Sequence, residues 1–119
     1  ATPSTAAAAP AAPVELGRGR LRGIDHRATG EAALYRLGDG AHLVRLEEID
    51  LQNGPDLFVY LVPEPGQQTE AGAVNLGKLK GNKGSQNYEV PADVDPGAYS
   101  TVLIWCRAFA VPFANAVVR

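Results

Sequence analysis

The sequence is poor in sulfur and carries no large excess of charge. Among its 119 residues there is one cysteine, Cys106, and no methionine. A lone cysteine cannot close an internal disulfide or build a cysteine-rich zinc site, so the fold must rest on its apolar core. The 11 basic and 13 acidic residues nearly balance and form no basic block. That excludes nucleic acid as the main partner, because phosphate neutralisation needs clustered lysine and arginine. Long apolar runs are also missing. The longest, 102–105 and 108–118, are short or interrupted by Pro112 and Asn115, and neither supplies the roughly 20 residues of a membrane-spanning helix. With no methionine the chain lacks an initiator, so it is expected to be a processed product whose targeting signal is not part of it.

Catalytic signatures are equally scarce. There is no glycine-rich phosphate loop opening a helix, no Gly-x-Ser-x-Gly elbow, no His-Glu-x-x-His and no Cys-x-x-Cys, which argues against a hydrolase or a classical metalloenzyme. The two histidines, His26 and His42, have no metal-pair spacing and are expected to be surface or hydrogen-bonded residues. A blue-copper site would need a histidine soon after the cysteine and usually an axial methionine; neither is present. Covalent c-type haem requires two cysteines and a histidine in one motif, which this chain lacks.

What is abundant is turn chemistry, with 13 glycines and 9 prolines. Residues 1–13, ATPSTAAAAPAAP, are uncharged, without large apolar side chains, and interrupted by three prolines. They read as a flexible, partly extended tether that spaces a domain spanning residues 14–119 from an anchor. From Val14 onward, short apolar runs alternate with Gly, Pro, Asn and Asp, and nothing holds a helical period for three turns. Strands are expected at 19–25, 32–37, 42–49, 57–62, 76–79, 87–90, 100–106, 109–111 and 116–118. The fold class is therefore an all-β antiparallel β-sandwich of about eight or nine short strands in a single domain. Gly38-Asp39-Gly40 signals a tight type I′ hairpin, and residues 53–56 and 95–97 combine proline and glycine in further turns.

Alternation assigns the faces. Leu57, Val59 and Leu61 share one side of their strand and Phe58, Tyr60 and Val62 the other, so both faces are apolar and the strand is central. In 100–106, Val102, Ile104 and Cys106 lie together, opposite Thr101, Leu103 and Trp105. Cys106 is then a small apolar thiol on the core face, where burial makes it inert. Arg107 points to the other face and does not activate it. Ala108 and Phe109 are expected to add to the core. Asp56 is expected to cap its turn by accepting backbone N–H groups. Lys78, Lys80 and Lys83 form a basic, solvated loop region. Tyr60, Tyr88, Tyr99 and Trp105 are expected to pack with their polar tips reaching partners.

Three segments together carry a resemblance: Gly54-Pro55-Asp56-Leu57-Phe58-Val59-Tyr60-Leu61, then Leu76 to Tyr88 (LGKLKGNKGSQNY), then Val102-Leu103-Ile104-Trp105-Cys106-Arg107-Ala108-Phe109. In order and spacing they resemble the DM-thirteen domain, also called the electron-transfer DM domain, over about residues 16–118. The resemblance implies a β-sandwich found in secreted, lipid-anchored (lipoprotein) or cell-surface proteins, in animals sometimes beside haem-binding DOMON and cytochrome b-type modules. It maps that family's single cysteine onto Cys106, as a bare redox thiol or a ligand to a prosthetic group such as haem. Gly54, Pro55, Asp56 and Trp105 are its accompanying motif positions. The implied function is an extracytoplasmic electron-transfer module, not an enzyme by itself, secreted or anchored at the cell envelope. Its expected partners are a redox protein or an envelope component, and it is expected to be monomeric, held near a membrane only through an anchor outside this chain. The alternative is a noncatalytic binding or adhesion module with Cys106 as a buried structural thiol. A dimer joined through Cys106 is disfavoured by the central position of its strand.

Overall fold

The computed structural model describes residues 12–119; most of the expected tether, residues 1–11, lies outside the described residues. Nine strands follow one another: β1 (Val14–Arg20), β2 (Arg22–Gly23), β3 (Ala28–Arg36), β4 (His42–Leu51), β5 (Leu57–Val62), β6 (Val74–Lys78), β7 (Lys83–Glu89), β8 (Thr101–Cys106) and β9 (Val111–Val117). A three-residue 3₁₀ turn at Pro96–Ala98 is the one helical element among the described residues. The strands form two antiparallel sheets, of order β1-β3-β4-β7 and β2-β9-β8-β5-β6, so the all-β sandwich read from the sequence is the fold.

The period-two pattern explains which residues meet between the sheets. Ala32 and Leu34 of β3 and Val44 and Leu46 of β4 face Leu57, Val59 and Leu61 of β5 and Val102, Ile104 and Cys106 of β8 in one buried cluster. The opposite faces of β5 and β8 supply a second, smaller cluster of Tyr60, Val62, Leu103 and Trp105. Its cover is a loop, residues 63–73, that folds back over the outside of the five-stranded sheet. Thr101 holds this loop by accepting from the Gly66 N–H at 3.0 Å and donating to the Glu64 carbonyl at 2.9 Å, while the Asn115 amide donates to the Gly66 carbonyl at 2.9 Å. These two are the buried polar side chains among the described residues, and the Thr101 hydroxyl and the Asn115 NH2 group both find partners, as buried polar groups must.

Four expectations are corrected. The run 19–25 is not one strand: β1 pairs with β3 in the first sheet and β2 pairs with β9 in the second, so the chain changes sheets at buried Leu21. Segments 109–111 and 116–118 are not separate strands: Phe109 and Ala110 lie in the turn after β8, and one strand, β9, runs unbroken from Val111 to Val117. It carries Pro112 at a register shift opposite Trp105, where a missing N–H is tolerated. The β3–β4 hairpin forms, but Gly40 alone of its turn residues has a positive φ, +89°, with its N–H donating to the Leu37 carbonyl. A type I′ turn needs two such residues in a row, so this is a different turn with glycine at its last position. Finally, Ala108 and Phe109 are both exposed, Phe109 at 67%, and add nothing to the core.

The open side of the sandwich between β1 and β9 is closed by a backbone approach that only glycine permits. A Cβ on Gly17 would lie 1.6 Å from the Val118 carbonyl oxygen, and one on Gly19 would lie 1.8 Å from that of Val117. The connections gather at two ends. Residues 24–27, 52–56, 79–82 and 107–110 lie at the end where β8 finishes with Cys106; Pro13, the 37–41 hairpin, 90–100 and Arg119 lie at the other.

Candidate functional site

Cys106 is the last residue of β8 and is fully enclosed. It pairs in register with Leu57 of β5 and Val111 of β9, and Val102 and Ile104 precede it on the same core face. The alternation carries straight through to Arg107, which leaves on the outer face. Its guanidinium carbon lies 5.0 Å above the ring of Phe58, a cation–π contact on the side of the sheet away from the sulfur. Trp105, also on that outer face, packs with Tyr60, Val62 and Leu103. The strand thus separates the thiol from both its indole and its cationic neighbour.

The Gly-Pro-Asp segment lies beside this strand end. The Arg107 N–H donates to the carbonyl of Asp56 at 2.9 Å, tying the turn after β8 to the loop before β5. It is therefore the backbone of Asp56 that holds the turn, and among the described residues its carboxylate accepts no backbone N–H of the kind the sequence suggests. Gly54 is required by packing. A Cβ there would lie 2.8 Å from Cε2 of Phe113, whose ring is stacked on His26 with centroids 3.5 Å apart and planes 13° from parallel. Pro55 enters a depression of 170 Å³ that also takes in Asn53, Gly54, Leu57, Lys78 and Leu79. The Gly54-Pro55-Asp56 segment and the Trp105-Cys106 pair, about fifty positions apart in sequence, are brought to one end of the molecule. The His26–Phe113 stack and the Arg107–Phe58 contact carry no sequence signal, because both depend on how β2, β5, β8 and β9 are ordered.

Elsewhere the polar side chains form structural networks. Arg18 on the edge strand β1 reaches across the outer face of the four-stranded sheet, bonded to Glu15, Glu31, Glu47 and the Tyr35 hydroxyl, and Arg45 donates to Glu47 at 2.9 Å. Hydrogen bonds from Arg18 hold the carboxyls of Glu47 and Glu15 below the usual glutamate range. Burial pushes the Tyr88 phenol up; its oxygen accepts from the Lys80 N–H at 2.8 Å.

The residues around Cys106 do not fit haem. A haem ligand needs an open face at the donor atom and room for a planar macrocycle. Here Cys106 is fully buried within the apolar core cluster, and it borders none of the five main surface depressions among the described residues. No group of three or more His, Cys, Asp or Glu that could hold a metal ion occurs among the described residues. No helix among them is long and apolar enough to cross a membrane.

The class defined by these features is a small β-sandwich module with one enclosed thiol at the end of a central strand and a Gly-Pro-Asp loop latched to that end. The particular family follows from comparison: the family described as Electron transfer DM13 matches residues 20–118, and the chain belongs to it. No curated protein and no solved structure gives a match.

Proposed function

We propose that this domain is an extracytoplasmic module of an electron-transfer assembly that contributes a protein surface, with Cys106 as a structural core thiol. Membership of the electron-transfer DM13 family supports the redox context, and the resemblance to secreted and envelope-anchored proteins, together with the alanine- and proline-rich segment 1–13, supports a location outside the cytoplasm. The observation that carries the role of the thiol is its enclosure at 0% exposure by Leu57, Ile104 and Val111. A thiol acts as nucleophile or ligand through its thiolate in a partly exposed, electropositive setting, and the nearest cation in sequence, Arg107, lies on the opposite face of the sheet. On this reading the domain is not an enzyme by itself.

A second reading, with Cys106 as the redox centre, is favoured by one feature. The thiol is the last strand residue before an exposed turn, so local opening of residues 107–110 would bring solvent to the sulfur. One pair of measurements decides between them. The native protein is mixed with a thiol-specific chromogenic reagent at neutral pH, with and without urea, and its visible spectrum is recorded after expression with haem available, beside Cys106→Ala. The structural reading expects labelling only on unfolding, slowed by about 10⁴-fold or more for a domain of ordinary stability, and no Soret band. Rapid labelling of the folded protein, or a Soret band lost in Cys106→Ala, would overturn it in favour of the redox centre.

A further inference from the structure

The turn that joins β8 to β9 spends conformational energy to expose an aromatic ring. Phe109 is 67% exposed, where phenylalanine usually serves a core, and the next residue, Ala110, is held at φ +54°, a conformation unfavourable for any residue with a Cβ. A glycine at 110 would form the same turn without that strain. The turn is also fixed to the molecule by the Arg107 to Asp56 bond, so the ring is presented from a rigid base.

Around it the charge is uneven. The Cys106 end bears Arg27, Lys78, Lys80, Lys83 and Arg107 against Asp25, Asp50 and Asp56, and Asp50 is itself paired with Arg27 at 2.9 Å. The opposite end is the reverse, with Asp39, Glu89, Asp93 and Asp95 against Arg36 and Arg119. A chain that is almost neutral overall is therefore polarised along its strands. Lys78, opposite Phe58 in register, and Arg107, above the Phe58 ring, flank a second, half-buried aromatic on this end. Lys78 also borders the 170 Å³ depression beside Gly54 and Pro55, which has room for a carboxylate side chain.

We propose that this end of the sandwich is a docking face for an acidic segment of a partner protein. Phe109 is the apolar anchor, and Lys78 and Arg107 are the charges that orient the segment. An exposed aromatic on an end where basic side chains outnumber acidic ones is the arrangement in which electrostatics brings a partner in and a central apolar contact holds it. The proposal goes beyond the role of the thiol and stands whichever reading of Cys106 holds.

The test uses the isotope-labelled protein and a short synthetic peptide of alternating glutamate and leucine, followed by amide chemical shifts. Expected are shifts confined to residues 54–57, 78–80 and 106–110, and loss of binding in 0.5 M salt, where surface charge is screened over about 4–5 Å. Weakening by about tenfold is expected in each of Phe109→Ala, Lys78→Glu and Arg107→Glu. All three side chains are exposed or partly exposed, so the variants should keep the wild-type spectrum elsewhere, and Cys106→Ala should bind as the wild type does. Shifts spread over the opposite end, or equal binding by the charge-reversed variants, would overturn the proposal. So would an inert peptide beside tight binding to phosphatidylglycerol vesicles, which would make the face a membrane contact. Concentration-dependent self-association that shifts both ends together would also overturn it, since the occupant would then be a second copy of the chain.

Discussion

If Cys106 is a core side chain, serine should be a worse replacement for it than alanine, although serine is nearer in size and chemistry. Cys106→Ala removes one sulfur from a site where the flanking strands cannot close in, because Leu57 and Val111 are fixed by ladder pairing on both sides. Losing one buried methyl-sized group costs about 0.5–1.5 kcal/mol. Cys106→Ser keeps most of the volume but buries a hydroxyl among Leu57, Ile104 and Val111, where the adjoining backbone groups are already engaged in the ladders. An unpartnered buried hydroxyl costs roughly 1–3 kcal/mol. Serine should therefore be the less stable variant by about 1 kcal/mol or more, which for a domain of this size is a gap of roughly 4–8 °C in melting temperature. Urea and thermal unfolding followed by circular dichroism, on reduced protein and with equal m-values, would measure it. A serine variant as stable as the alanine variant would refute the reasoning, because it would mean that a polar partner or water sits at the sulfur and that the surroundings are not apolar.

The β1–β9 closure predicts that Gly17→Ala cannot be accommodated without separating the two strands; a loss of about 3 kcal/mol or more is expected, against about 1 kcal/mol for Gly40→Ala, whose φ is positive but whose surroundings are open. Equal effects of the two substitutions in urea unfolding would contradict the close approach. The carboxyls around Arg18 set an acid limit on stability. Glu15 and Glu47 are lowered in the folded state, so their contribution is present above the ordinary glutamate value of 4.5 and is lost as pH falls through the lowered folded values. Urea midpoints measured from pH 7 downward should hold steady and then fall below about pH 4.5, with a shallower acid limb in Arg18→Ala; an unchanged limb would mean that the network does not carry the dependence.

The sequence carried more of the architecture than of the connections. Both faces of β5 and β8, including the company of Val102, Ile104 and Cys106 and the opposite sense of Arg107, follow from the two-residue period, because those strands are central and apolar on both sides. The sheet change at Leu21 does not follow, since nothing local distinguishes a strand that stays in its sheet from one that crosses to the next. Continuity of β9 through Pro112 does not follow either, because the register shift opposite Trp105 that accommodates the missing N–H has no local mark. Hydrophobicity alone places Phe109 in the core, but a residue in a four-residue turn has no strand neighbours to bury it. At the candidate site, Cys106, Gly54 and Asp56 were legible as residues, but the latch between the Asp56 carbonyl and the Arg107 N–H involves no side chain and leaves no mark in the sequence.

The two ends of the folded domain leave from the same side. Val14 pairs with Arg36 beside the hairpin, and Arg119 donates to the carbonyls of Tyr99 and Pro96 in the adjacent loop. Any neighbour joined to the domain, before Pro13 or after Arg119, is thus attached opposite Phe109 and the Cys106 end. A neighbour joined at either terminus would meet the sandwich at its foot, with Phe109 carried at the tip, a full strand length away.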